Sequence, residues 1–566
     1  MSQLVLLSPL MAFLSRLKSY LFVFIQGKVS FWSIVVLGWA GRLAEYALWS
    51  RMTYLTELGL DTTHAAAIVN VCTGVETIMP TGMAFLVDAF VSDYRMLLFS
   101  STLAYSLGIC ILAMSTPTLL SKYVGPMPCD NGPAKCITDA RKALFYISIP
   151  FIIIGVSGHV ASLGCFLKKK EPIETESLKR KFMSFFWKFI LCLVPMIITF
   201  ALSFLPWFGQ YGIPAIVLMV VALLFVSVSG SYKYATPQGS PLITIFRVFV
   251  ASASKMFCPR DAQVLHENRP SSCRLPHTQG LRCLDKAAIV ISTQNLEQQE
   301  QNRWKLCSVS EVEETKIFIR MIPMWVSFIM CGVISSVGDT YFLDQAGSLD
   351  PKIGKVEAPV FTLLIFQKIV ELMFSEVTKE LVKKGSSKYA APIGNIVATI
   401  FSILCCITAA KVETKRLHKT PSDFNDNDPN EHIPLSMFWL LPQFFLLGAV
   451  DGISHNLFSD DDEISGFNIA CFFNGKVPDS IISYLKIFSD SVFGIGNLGS
   501  AILGSILGPI WLDYTLSESH FDNYYWTLAV LSSINLVVSI LVVIWYRYKH
   551  SAIEENRMSE TQLSTR

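Results

Sequence analysis

Runs of roughly 20 mostly apolar residues recur along this 566-residue chain, each long enough to cross a bilayer as an α-helix. Backbone amides inside lipid must be satisfied within their own segment, so such a chain folds as packed helices. The predicted spans are 30–50, 64–88, 95–115, 142–166, 182–204 and 211–231. After a long polar break come 317–338, 358–378, 388–410, 434–457, 480–509 and 525–546. The expected fold class is all-α: a polytopic membrane protein with about twelve transmembrane helices in two six-helix bundles. The corresponding parts are an N-terminal segment 1–29, a bundle 30–231, a linker 232–316, a second bundle 317–546 and a tail 547–566, of which 550–566 is polar and expected to be disordered.

Composition agrees with the lipid bilayer as the main partner. Charged residues make up 16% of the chain, against roughly 25% in soluble domains, and mean hydropathy is +0.46. A net charge of +2 gives no reason to expect a nucleic-acid partner. Cys72, Cys110, Cys165, Cys192, Cys331, Cys405 and Cys406, half of the 14 cysteines, lie within apolar runs, where a thiol acts as a small hydrophobe. Cys129 and Cys136 sit instead in a Gly/Pro-rich loop, where a local disulfide is open to them if that loop lies outside the cytosol. There is no paired CxxC spacing for a metal, no nucleophile elbow and no nucleotide loop, so neither an enzyme nor a cofactor is expected. Residues 3–25 are interrupted by Ser15, Arg16, Lys18 and Ser19 and read as an amphipathic cytosolic lead-in rather than a cleavable signal, with an uncleaved first anchor as the alternative.

Basic residues set the orientation. Lys168, Lys169, Lys170, Lys179, Arg180 and Lys181 follow the fourth span, and the 232–316 break is rich in Lys and Arg. Lys379, Lys383, Lys384 and Lys388 follow the eighth, and Arg547 and Lys549 the last. With twelve spans all these segments share one side, the cytosol, and both termini lie there. Lys411, Lys415, Arg416 and Lys419 are an exception on the opposite side. Two six-span halves joined by a long cytosolic linker is the layout of major facilitator transporters.

Local motifs sharpen this. Tyr232-Lys233-Tyr234, Pro237-Gln238-Gly239-Ser240-Pro241-Leu242 and Val248-Phe249-Val250-Ala251 follow the sixth span. Leu284-Asp285-Lys286-Ala287-Ala288-Ile289, Trp304-Lys305-Leu306-Cys307-Ser308-Val309, Glu311-Val312-Glu313-Glu314-Thr315-Lys316 and Arg320-Met321-Ile322-Pro323-Met324-Trp325 lead into the seventh. Thr340-Tyr341-Phe342-Leu343-Asp344-Gln345, Phe438-Trp439-Leu440-Leu441-Pro442-Gln443 and Tyr524-Tyr525-Trp526-Thr527 follow in order. Together these resemble the plant nitrate transporter/peptide transporter family, a branch of the proton-dependent oligopeptide transporters of the major facilitator superfamily, across most of the chain. The resemblance implies a major facilitator fold that moves a small, often anionic solute by alternating access, with proton symport in many relatives. A small-molecule substrate, and protons with it, are the partners so implied; oligomeric state is left open.

The departures from the family pattern fall on its chemistry. Where the family carries ExxER in the first span, this chain reads Gly38-Trp39-Ala40-Gly41-Arg42, keeping the arginine and losing both carboxylates. Glu45-Tyr46 stands where relatives have a tyrosine pair. Arg42 and Glu45 are i,i+3 neighbours, so Glu45 is read as a counter-ion to Arg42, either static or titrating. In the fourth span, Ser157-Gly158-His159-Val160-Ala161 replaces GGIKP, so Val160 takes the place of a lysine, and His159 is more simply a packed histidine than a base. The lysine's glutamate partner in the tenth span aligns with Asp451. Ser335 takes an aromatic or histidine cavity position in the seventh span, which counts against nitrate as main substrate. By this reasoning Arg42, Glu45, Tyr46, Ser335 and Asp451 are candidates for solute contact, and Glu45 and Asp451 for proton coupling. Lys368 with Glu371 and Lys486 with Asp490 have intrahelical pairing distances. Asp88 and Arg95 bracket a turn resembling the superfamily's D-x-x-x-G-R motif, with Ser92 and Asp93 replacing its glycine and basic residue. Proton symport, an uncoupled facilitator or exchanger, and a transport-inactive sensor all remain open. So does the choice between plasma and vacuolar membranes.

Overall fold

The computed structural model describes residues 33–57, 60–90, 94–116, 139–167, 192–228, 241–257, 265–267, 275, 277–290, 299, 301–302, 304–354, 356–385, 390–421, 432–456, 479–511 and 519–564. The loop holding Cys129 and Cys136 and the basic segment 168–181 lie outside this set, as does the N-terminal lead-in.

The fold is all-α and polytopic. In chain order the helices are α1 (33–48), α2 (Arg51–Glu57), α3 (Thr62–Phe90), α4 (Tyr94–Met114), α5 (Asp139–Leu167), α6 (Cys192–Leu202) and α7 (Trp207–Val228). Then follow α8 (Pro241–Ser254), α9 (Arg282–Asp285), α10 (Val309–Gly338), α11 (Tyr341–Gly347), α12 (Phe361–Gly385), α13 (Ala390–Lys419), α14 (Leu441–Asn456), α15 (Asp479–Trp511) and α16 (Phe521–Ser564). Among the described residues, eight helices are long and apolar enough to cross a membrane. The apolar outer faces of these helices, such as Ile216, Leu223, Val530 and Ile534, stay exposed, as lipid-facing residues do.

The chain forms two compact units. One comprises 1–54 and 82–237; the other comprises 55–81 and 238–566, so that α3 as far as Thr81 belongs with the second.

In the first unit, α4 packs between α5 and α7. The Ser106 hydroxyl donates to the Ala215 carbonyl at 2.7 Å, which satisfies a buried polar group across the α4–α7 contact. Tyr54 meets Trp207 at 5.4 Å and Tyr211 at 5.8 Å, and shares a 3.0 Å hydrogen bond with Ser115.

In the second unit, small residues set the helix spacing. A Cβ on Gly494 would lie 2.7 Å from the Gly74 carbonyl oxygen, and one on Gly496 2.6 Å from that of Ile329. Glycine therefore lets α15 approach both α3 and α10 at backbone distance, as small residues do between membrane helices. Thr62 donates to Asp344 at 2.8 Å and Asn70 to Ser500 at 3.2 Å along the same α3 surface. Trp325 stacks on Phe488 at 5.7 Å within a core of Met321, Met324, Phe328, Val492 and Phe493. Two short strand pairs, Leu349–Asp350 with Ile433–Ser436 and Lys352–Ile353 with Val356–Glu357, cap α11.

The linker carries ordered structure docked on α10. The Ser308-x-x-Glu311 spacing forms a capping box: the Glu311 amide donates to Ser308 Oγ at 3.3 Å, and the Ser308 amide donates to Glu311 Oε2 at 3.1 Å. Arg247 of α8 pairs with Glu311, and Lys255 donates to the Ile289 carbonyl at 2.6 Å. Beneath these, Val248, Ala251, Leu284, Ala287, Ala288, Cys307 and Val312 form a small apolar core.

The tail departs from expectation. Instead of an irregular segment, the backbone of α16 stays helical to Ser564. Glu554, Glu555, Arg557, Met558 and Glu560 are good helix formers, and they extend a helix already nucleated within the membrane.

Candidate functional site

Arg42 and Glu45 lie one turn apart on α1, and Nη1 donates to Oε2 at 2.8 Å. Their side chains stay 53% and 44% exposed, in contrast to neighbouring Leu43, Ala44 and Ala47, which are buried. The pair is therefore an intrahelical neutralised charge that the neighbouring helices leave partly uncovered. Tyr46, expected beside it, is fully buried with its ring 4.5 Å from Trp49. Its ring packs against that large i+3 neighbour.

Gly41, at the position of a lost family carboxylate, faces α5. A Cβ there would lie 2.6 Å from His159 Nε2. His159 is buried, and its Nδ1 is 2.9 Å from Thr102 Oγ1. The histidine thus occupies the room that a side chain at 41 would need. The Gly-for-carboxylate departure was visible in the sequence, but its partner was not, since 41 and 159 meet only through helix packing.

In the second unit Asp451 is 3% exposed and accepts a 2.9 Å hydrogen bond from Gln367 Nε2 of α12. The close approach of Gly448 to the Gln367 carbonyl, 2.6 Å from where a Cβ would lie, brings this amide to Asp451. Ser335 is half-buried, and Ser336 is turned onto its own helix, donating to the Val333 carbonyl at 2.7 Å. Lys368 and Glu371 form the expected intrahelical pair, at 2.6 and 2.7 Å. Asp490 and Arg95 are half-buried, while the side chains of Lys486 and Asp88 lie outside the described residues.

Two buried networks were not anticipated. Arg416 and Glu413, both 0% exposed, form a two-point ion pair at 2.6 and 2.9 Å. Gln345 donates to Glu413 Oε2 at 2.5 Å and receives Gln443 Nε2 at 3.3 Å, so the glutamines of two family motifs serve one buried pair. The i,i+3 spacing of Glu413 and Arg416 was the available signal, hidden because the span was expected to end at 410. In the linker, Lys316, 0% exposed, reaches Asp285 Oδ1 at 2.6 Å, Glu313 Oε1 at 2.7 Å and the Thr278 carbonyl at 2.8 Å. His277, Asp285 and Glu313 place ligand atoms within 4.8 Å of one another, the grouping closest to a metal site among the described residues. The Lys316 ammonium already bridges both carboxylates, so they are satisfied as a salt-bridge network.

Long apolar helices packed together, with ionisable groups held inside spans, define a polytopic membrane protein. Comparison with known proteins places it. The POT family profile matches residues 95–470, and the chain belongs to that family. It is 37% identical over 546 residues to NRT1/PTR family protein 5.5 of Arabidopsis thaliana, covering 92% of this chain and 98% of that one. Arabidopsis NRT1/PTR family protein 5.6 is 30% identical over 551 residues, covering 91% and 90%. Among solved structures, an auto-inhibited POT family peptide transporter superposes with a TM-score of 0.59 at 13% identity, covering 91% of this chain and 96% of that one. A POT family transporter in complex with 5-aminolevulinic acid gives 0.55 at 11% identity, covering 91% and 96%. The fold is that of the major facilitator POT transporters. The chain is an integral membrane protein of a family that transports small solutes, and it is not an enzyme.

Proposed function

We propose that this chain moves a small anionic solute by alternating access, with Arg42 as the anion contact. The observation that carries the reading is the retained Arg42–Glu45 pair, half-exposed within an otherwise buried stretch of α1. A charge at bilayer depth is costly, and a chain with no use for it would be stabilised by losing it. Glu45 neutralises Arg42 in the empty state and yields to the solute's anionic group. Ser335 in place of a larger side chain favours an anion bulkier than nitrate, such as an organic acid or a peptide carboxylate. Glycines at 38 and 41, where relatives carry carboxylates, keep an uncoupled facilitator or exchanger beside proton symport as a second reading. The protein sits in the plasma or vacuolar membrane with both termini in the cytosol, following the lysine and arginine distribution.

The test is uptake of nitrate, chloride, dipeptides and organic acids into cells expressing the protein, beside Arg42→Ala at matched surface level. An anion carried by the parent and reduced at least tenfold in Arg42→Ala supports the reading. Carriage unaffected by Arg42→Ala, or no carriage of any anion, overturns it.

A further inference from the structure

Resting on that reading, we infer that His159 is the proton-accepting residue of this transporter, with Nε2 the atom that takes the proton, seated where glycine at 41 leaves room for the ring. The hydrogen bonds assign the tautomer. The Thr102 hydroxyl donates its one proton to the Leu98 carbonyl at 2.6 Å. Its oxygen, 2.9 Å from Nδ1, must then accept, so Nδ1 carries the ring proton. Nε2 is left as a bare lone pair, and among the described residues it has no hydrogen-bond partner. A buried acceptor left unsatisfied costs free energy and is a place where structures hold function. The lone pair faces Gly41, beside Arg42, where a Cβ would come within 2.6 Å. The chain has exchanged a carboxylate on α1 for an imidazole on α5 that reaches the same point.

The two carboxylates that the sequence offered for proton coupling each hold a partner, Glu45 with Arg42 and Asp451 with Gln367. The groups around His159 are few. From α1 come Arg42, Glu45 and Tyr46, and from α4 comes Tyr105, whose ring centroid is 6.4 Å away. Cys192 of α6 faces Arg42, and α5 itself has no other titratable group between Ile152 and Gly164.

The step is a plain proton transfer. A proton from solvent on one side bonds to the Nε2 lone pair, the ring becomes an imidazolium, and release to the other side restores the neutral ring; no electrons move. An imidazolium beside the Arg42 guanidinium sets like charges together, and an anion seated on Arg42 relieves that repulsion. Proton and anion therefore favour each other's binding, and by linkage the effect is reciprocal.

The test uses the full chain in two ways. In nanodiscs, ring-15N NMR of histidine-labelled protein is compared with His159→Gln, and the resonance that disappears is His159. It is expected to show protonated Nδ1 and bare Nε2 at neutral pH. It should become doubly protonated on acidification, with a proton affinity at least about threefold higher when the anion found to be carried in the uptake panel is present. An Nε2–H tautomer, or a ring that never protonates while the protein stays folded, overturns the inference. In proteoliposomes, uptake at about pH 5.5 is divided by uptake at about pH 7.5 for each variant. A single coupled proton gives up to about tenfold per pH unit in the parent, falling to about onefold in His159→Gln. A parent ratio near one, or a ratio unchanged in His159→Gln, refutes the inference while leaving anion transport intact. Loss of uptake in Arg42→Ala tests the anion site separately.

Discussion

At the scale of single residues, exposure separates groups that the sequence lists alike. Cys283 and Cys307 lie in the same linker, 24 positions apart by subtraction, yet Cys283 is exposed and Cys307 buried. Burial, and then the Glu311 carboxylate, push the Cys307 thiol up to about 11. The neutral thiol is the form that the fold favours. Stability from it is complete below the unfolded value and is lost as pH rises through about 11. Thiolate is the reactive species, so a maleimide near pH 7.5 should modify Cys283 and spare Cys307, as read by peptide mass mapping of folded protein. Equal labelling of both would contradict the docked linker. The i,i+3 pairs at Arg42 and Lys368 belong to this scale too, and both were legible because helix geometry alone brings such residues together.

At the scale of elements, buried charge joins helices that hydropathy treats as independent. The Glu413–Arg416 pair on α13 takes Gln345 from α11, and Arg416 Nη2 lies 3.5 Å from the Ser519 carbonyl just before α16. Removing one partner leaves an uncompensated buried charge, so Glu413→Ala should cost about 3–5 kcal/mol. The check is the thermal midpoint of the purified protein, which should fall clearly. Combining Glu413→Leu with Arg416→Met should recover much of the loss, because a pair replaced by packed apolar groups leaves no buried charge unpaired, and only the Gln345 amide loses an acceptor. A midpoint unmoved by Glu413→Ala would mean that the pair is not buried in the folded protein. The linker's family motifs acquire a structural reason at this scale as well: Asp285 and Glu313 hold Lys316, and Glu311 holds Arg247 while capping α10.

At the scale of the whole molecule, orientation rests on the side that carries the lysines and arginines. The apparent exceptions after the ninth span lose weight on inspection of their partners. Arg416 is neutralised by Glu413, and Lys415 Nζ lies 3.0 Å from the centre of the Trp439 ring. Epitope tags on either terminus should accordingly be reached by antibody only after the membrane is opened. Labelling of a tag on intact cells, or its protection inside isolated vacuoles, would reverse the proposed orientation.

The sequence by itself determined the all-α polytopic fold and the family. These follow from rules that act locally: a backbone in lipid must bond within its own segment, and motifs are runs of neighbours. It also exposed where the family's chemistry had been altered, at Gly38, Gly41, Val160 and Ser335. It could not say what answered those changes. That Asp451 meets Gln367, that Tyr46 turns into the core, and that His159 fills the place left by Gly41 depend on which helix faces pack together. Such partners lie tens to hundreds of positions apart, and no periodicity within one helix encodes them. Tertiary packing alone brings them within hydrogen-bonding reach, and with them the chemistry of the site.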